Sequence, residues 1–229
     1  MQNKRNKNCW YLDMGFMHYE EALLVQEKCV KYRSKNQTPD ILILLEHYSV
    51  LTLGMNGKEE NIIAYDQLKE KGIKFVRTTR GGDVTYHGPG QLVCYPIIDL
   101  KNHYQDGHWF INILEEIVIQ LLSEYAINAE RKKGFPGVWV GEKKIAAIGI
   151  SVNDQWITMH GIALNVTTNL EFFKMINPCG ITDKSVTSIS KILKQDIAMS
   201  EIKEKFVYYF TNLFNVSMTK HLNDFHLFK

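Results

Sequence analysis

The chain has 229 residues, of which 45% are hydrophobic and 23% charged, proportions of a soluble globular protein long enough for one domain with a sizeable core. Its net charge of +2 gives no reason to expect a nucleic-acid surface, and no run of residues has the length of a membrane span or the apolar centre of a secretory signal. The four cysteines, Cys9, Cys29, Cys94 and Cys179, are widely spaced without a CxxC pair, which argues against a zinc site or a redox dithiol and predicts a reducing, cytoplasmic setting.

In chain order, residues 8–14 read as a short strand. An amphipathic helix is predicted over His18–Arg33, because Ala22, Val25, Cys29 and Tyr32 recur at helical spacing between Glu and Lys. Ile41–Glu46 is a continuous apolar run, expected of a buried strand, and Val50–Gly54 is a second. Ile62–Lys71 reads as a short helix closed by Gly72, followed by a strand at Ile73–Thr78. Leu92–Leu100 is apolar on both faces, which places it in the middle of a sheet.

Phe110, Ile113, Leu114, Ile117 and Leu121 mark a second amphipathic helix over Gly107–Tyr125. Three strand-like runs follow, at Gly137–Val140, Lys144–Val152 and Trp156–Val166. A short helix is expected near Leu170–Ile176, and two more at Thr187–Leu193 and Ser200–Phe214, the last with Ser200 as N-cap. Strands outnumber helices, and hairpins alternate with helical connections. The fold class expected is α+β: a single domain over 1–229, with a mixed β-sheet covered by helices.

Chemistry concentrates in three places. The first is 80–91, RGGDVTYHGPGQ, with four glycines and a cluster of polar side chains between two strands. Such a stretch is either a long surface turn or a binding loop on a rigid scaffold. The second is the run from Lys144 to Val152. A lysine opening an apolar strand is either a solvated strand end or a partly desolvated base. Ala146, Ala147 and Gly149 leave room beside it. A hairpin at 153–155 that pairs Val152 with Trp156 sets Ala147 opposite Gly161 and Ile148 opposite His160. His160 is then either a structural histidine or part of a site.

The third place is Pro178-Cys179-Gly180. The other three cysteines fall inside expected elements, so Cys179 is the one most open to reaction, as nucleophile or as inert loop residue. Arg131–Lys133 with Lys143 reads as a solvated basic face, with docking of an acidic carrier as the alternative.

The sequences RGGDVTYHGPGQLVCYP at 80–96, GVWVGEKKIAAIGI at 137–150, HGIALNV at 160–166 and NPCGI at 177–181 together resemble the lipoyl(octanoyl) transferases, the lipoate-protein ligase B family. That resemblance implies a biotin/lipoate protein ligase-like fold. It also implies transfer of an octanoyl (lipoyl) group from acyl carrier protein to a specific lysine of lipoyl domains, those of 2-oxoacid dehydrogenases and the glycine cleavage H protein. By the same resemblance Cys179 is the acyl-thioester nucleophile and Lys144 the residue that lowers its pKa. Substrate contacts fall on Arg80, Gly81, Gly82, Asp83, Val84, Thr85, Tyr86 and His87, on Ala147, Ile148 and Gly149, and on His160, Gly161 and Ile162. No cofactor, metal, nucleic acid or membrane is implied, and a monomer is expected. Two rivals remain: an ATP-dependent lipoate or biotin ligase on the same fold, and a non-catalytic protein that binds acylated carriers.

Overall fold

Two apolar strands carry the architecture, β2 (Asp40–His47) and β6 (Gln91–Ile97), both buried along their whole length. They pair antiparallel, Ile43 opposite Tyr95 and Leu44 opposite Cys94. Side chains alternate across a strand, so each strand feeds two cores. Ile41, Ile43, Val93 and Tyr95 meet Val25 and Cys29 of helix α1 (Tyr19–Ser34) on one face. Leu42, Leu44, Leu92 and Cys94 meet Phe110, Leu114 and Leu121 of α3 (Gly107–Ser123) on the other. Phe206 and Phe210 of α5 (Met199–Phe214) join that second core. Burial on both faces is why these strands read as unbroken apolar runs.

The computed structural model describes residues 7–177 and 185–221. Outward from β2 lie β1 (Lys7–Met17) and β11 (Val216–His221), both parallel to their neighbour. Outward from β6 lie β10 (Thr158–Asn165), β9 (Lys143–Val152), β8 (Phe135–Val140) and β7 (Glu130–Lys132), antiparallel throughout. The resulting order is β11-β1-β2-β6-β10-β9-β8-β7. A smaller sheet, β4-β3-β5, comprises Lys74–Arg77, Val50–Leu53 and Val84–His87. Helices α2 (Tyr65–Glu70) and α4 (Ile189–Leu193) are short. No helix among the described residues is long and apolar enough to cross a membrane.

The expected α+β class with a mixed sheet is what the structure has. Some local expectations differ. The 84–87 segment of the glycine-rich stretch is a strand, β5, and the polar stretches at β7 and β11 also form strands. Helix α5 starts at Met199 with Ala198 at the N-cap, so Ser200 lies inside it. The β9–β10 register is two residues from the expected one. Thr158 faces Val152, Gly161 faces Gly149 and Ala163 faces Ala147. The turn is longer than expected because Trp156 takes a left-handed φ of 64° and its N–H donates to the Asn153 carbonyl at 2.9 Å. A slip of two keeps the side-chain parity, so each residue still points to its expected face.

Candidate active site

The glycine-rich loop is built as a clamp on β3 and β9. Arg80 is buried, and its Nε and Nη2 donate to the Thr52 hydroxyl (3.1 and 2.9 Å) and Nη2 to the Thr52 carbonyl (2.6 Å). Its Nη1 donates to the Gly81 carbonyl at 3.0 Å. The Gly81 N–H in turn donates to the Ile150 carbonyl of β9 at 2.9 Å, so that amide is engaged by the scaffold and does not serve an oxyanion. Gly149 exists for this contact: a Cβ there would stand 2.8 Å from the Gly81 carbonyl oxygen. The small patch on β9 thus seats the loop at Gly149 and opens onto a cavity at Ala147.

That cavity has a volume of about 480 Å³. Arg80, Gly81, Gly82, Asp83, Val84, Thr85 and His87 line it, with Ala147, Ile148, Gly149, His160, Gly161, Ile162 and Lys144. Tyr86 is the exception among the expected residues. Alternation along β5 turns it into the smaller core, where its ring stacks on Phe172 at 4.7 Å and its hydroxyl meets Ser49 Oγ at 3.0 Å. Asp83 faces the 58–61 loop: Oδ2 accepts from Asn61 Nδ2 at 2.6 Å, and Oδ1 accepts from the Lys58 and Val84 N–H groups. Tyr19, Gln91, Val93, Tyr95, Trp139 and Asn165 also line the cavity and were not expected. Gln91, Val93 and Tyr95 share one face of β6 by the two-residue period, a signal present in the sequence once that face is known.

Lys144 is half-buried at the start of β9. Its Nζ donates to the Pro136 carbonyl at 3.0 Å and sits 4.9 Å from the centre of the Trp139 ring. Gly137, at φ 121°, makes room for it, because a Cβ there would lie 3.3 Å from Lys144 Cε and 2.5 Å from the Ala146 carbonyl oxygen. Residues 185–187 run alongside: Lys144 N–H donates to the Ser185 carbonyl (3.0 Å) and Thr187 N–H to the Lys144 carbonyl (2.9 Å). Cys179 lies outside the described residues. The described residues before and after 178–184 both reach the cavity wall, through Phe173 on one side and Ser185 and Val186 on the other. Just before the gap, Asn177 N–H donates to the Asn61 carbonyl at 2.7 Å.

The other three cysteines are fully buried. Burial pushes the Cys29 thiol up to about 12 and raises those of Cys9 and Cys94 as well, so none supplies thiolate near neutral pH.

His160 occupies a strained position. By the β6–β10 register it faces Pro96, which has no N–H to donate. Its φ is 62°, and its own N–H leaves the ladder for Gln26 Oε1 on α1 at 2.8 Å. Such a backbone is held only by surrounding structure and is common at functional sites. His160 Nε2 meets Thr79 Oγ1 at 3.2 Å, while Nδ1 is buried without a hydrogen-bond partner among the described residues. Gly161 lets β10 press onto β6, where a Cβ would lie 2.0 Å from the Cys94 carbonyl oxygen.

Two buried histidines, His87 and His160, line the cavity, and a third, His47, lies behind His87 with ring centres 5.7 Å apart. Burial lowers His47 and His160 to about 4, with the Arg80 charge adding to the effect on His160. Burial, His47 and Arg80 hold His87 well below its ordinary 6.5. The folded protein therefore favours neutral imidazoles. Their contribution to stability is complete above the unfolded value of 6.5 and is lost as pH falls towards 4. Between pH 7.5 and 4.5, His47 and His160 should each cost about 2–3 kcal/mol of stability, read as a fall in urea midpoint. A flat profile over that window would overturn the neutral assignment.

Among the described residues, two of the four cations in the basic run are paired. Arg131 pairs with Glu115 (3.2 Å) and Glu116 (2.6 Å), and Lys132 with Glu142 (2.6 Å). That favours the solvated face over a carrier dock.

Residues 18–211 match the family described as the lipoyl protein ligase A/B catalytic domain. The chain is 49% identical over 210 residues to an octanoyltransferase of Caldicellulosiruptor saccharolyticus, covering 90% of this chain and 88% of that protein. Its fold is similar to that of a lipoate-protein ligase A solved with ATP, at a TM-score of 0.78 and 18% identity, over 95% and 89% of the two chains. A biotin protein ligase of Aquifex aeolicus is also similar, at a TM-score of 0.54 and 15% identity, over 91% and 70%.

Proposed function

Because the chain belongs to the lipoyl protein ligase A/B catalytic-domain family, we propose that it transfers an octanoyl (lipoyl) group from acyl carrier protein to a specific lysine of lipoyl domains, with Cys179 as nucleophile and Lys144 as its proton acceptor. Residues 1–229 act as one catalytic domain, in the cytoplasm, on the lipoyl domains of 2-oxoacid dehydrogenases and the glycine cleavage H protein. The observation that carries this reading is the cavity itself. Lys144 lines it, and so do described residues on both sides of the segment that holds Cys179.

Cys179 thiolate attacks the carrier thioester. A new C–S bond forms, the carrier's C–S bond breaks, and the carrier thiol takes the proton that Lys144 removed from Cys179. The neutral amine of the acceptor lysine then attacks the acyl-enzyme. The C–N bond forms, the C–S bond breaks, and Lys144 takes the amine proton while the thiolate is restored. The apolar walls at Ala147 and Ile162 suit an alkyl chain.

Mixing the protein with octanoyl-acyl carrier protein is expected to add one octanoyl mass to Cys179, located by peptide mass spectrometry. Octanoylation of a lipoyl domain only with ATP and free octanoate, through an acyl-adenylate and without Cys179, would favour a ligase instead. Tight binding with no adduct would favour a carrier-binding protein.

A further inference from the structure

Two buried amides form an oriented line from His87 to the strand of Lys144. Gln91 and Asn165 are direct cross-strand partners on β6 and β10, and both are buried. Gln91 Nε2 reaches the Tyr86 carbonyl (3.3 Å) and Asn165 Oδ1 (2.9 Å). Asn165 Nδ2 reaches the Thr187 carbonyl (3.1 Å), and Thr187 N–H donates to the Lys144 carbonyl (2.9 Å).

A backbone carbonyl can only accept. The Tyr86 and Thr187 carbonyls therefore fix which end of each amide is nitrogen, without appeal to the assignment of side-chain atoms. With Gln91 so fixed, its Oε1 is the atom 2.7 Å from His87 Nδ1. That oxygen is also only an acceptor, so Nδ1 carries the hydrogen. A neutral His87 then has its lone pair on Nε2. Among the described residues, none donates to Nε2, and His87 lines the cavity.

We propose that Gln91 and Asn165 are positioning residues that hold His87 as an acceptor-only imidazole, whose Nε2 takes a hydrogen bond from the amine of the incoming acceptor lysine. The proposal rests on the transferase reading and assigns these residues to its second half-reaction alone. The alkyl thioester of the donor offers no N–H at its reacting carbon, whereas the attacking amine does, and an acceptor at Nε2 orients that amine's lone pair towards the acyl carbon.

Long-range ¹H–¹⁵N spectra of the unliganded protein should show His87 protonated at Nδ1 and bare at Nε2. A protonated Nε2 would overturn the proposal without any variant being made. In Gln91→Leu, the Nδ1 tautomer should no longer dominate. Transfer onward to a lipoyl domain should slow by about tenfold, the worth of one hydrogen bond, and acylation of Cys179 by octanoyl-carrier protein should slow by a clearly smaller factor. Gln91→Glu, which still accepts from Nδ1 but cannot donate to the Tyr86 carbonyl or Asn165 Oδ1, should recover the tautomer and only part of the transfer rate. Equal slowing of both half-reactions, or no slowing of either, would overturn the assignment. Failure of the parent protein to acylate Cys179 would instead refute the transferase reading.

Discussion

A Lys144→Ala protein is expected to fold and yet to transfer acyl groups at least about 10²-fold more slowly than the parent. The side chain is half-buried, and its Nζ contacts include the Pro136 carbonyl and the Trp139 ring at the cavity rim. Truncation there leaves the backbone ladder to Ser185 and Thr187 intact, so stability should change little. The chemistry should change greatly, because both half-reactions need a proton taken at this point. Lys144→Arg should not restore the rate, since a guanidinium does not release its proton in this pH range. The companion Cys179→Ser should yield no thioester adduct. Transfer is followed by the mass of an octanoylated lipoyl domain, and full activity in either protein would refute the pair.

Asp40→Ala should be the most damaging single change to stability, by about 3–5 kcal/mol, because it strips a buried ion cluster of its central anion. Asp40 Oδ1 accepts from Arg33 Nε (2.8 Å) and the Asp99 N–H (3.0 Å), and Oδ2 from His103 Nε2 (2.6 Å). Arg33 also reaches Asp99 at 3.3 Å. Burial alone would raise the Asp40 carboxyl. The donors from His103, the Asp99 amide and Arg33 outweigh it and hold the group below the usual carboxylate range. Alanine would leave a buried guanidinium with one carboxylate and strand the Asp99 amide. Asp40→Asn keeps the shape and should lose less. Urea midpoints of the three proteins decide this, and a loss under about 1 kcal/mol for alanine would place the cluster among surface-like pairs.

Strong periodicity made much of the fold legible. The runs of β2 and β6 declared themselves by being apolar on both faces, and α3 by its helical spacing; its Asp106 cap, which accepts from the His108 and Trp109 N–H groups, is seen only in the structure. Strands β5, β7 and β11 stayed hidden because VTYH and VSMTKH carry only two apolar positions each and ERK carries none, too short a pattern to mark a strand. Their state is set by the partner they pair with, which local sequence does not encode. The β9–β10 register missed by two because nothing in Asn153–Ile157 announces that Trp156 adopts positive φ.

At the site, the glycine stretch, Lys144 and His160 were legible as residue types out of place. Tyr86 lies in the smaller core and not in the cavity lining, a direction that depends on β5 being a strand. Gln91 and Asn165 were missed for a different reason. Each is an ordinary amide until β6 and β10 are known to be neighbours, and only then do two unremarkable residues become a line of hydrogen bonds.

The pairing of β1 with β11 has a bearing on how the molecule is made. Lys7 to Leu12 lie beside Val216 to His221, more than two hundred positions later. A ribosome moving along the message completes every other described strand before it reaches β11. Until then β1 stands as an open sheet edge, with unpaired amides and carbonyls on its outer side. Contacts of such long separation form late, since the loop between them must first be closed. The nascent molecule therefore has a period in which its sheet is assembled but its rim is adhesive, and the arrival of β11 is the step that ends it.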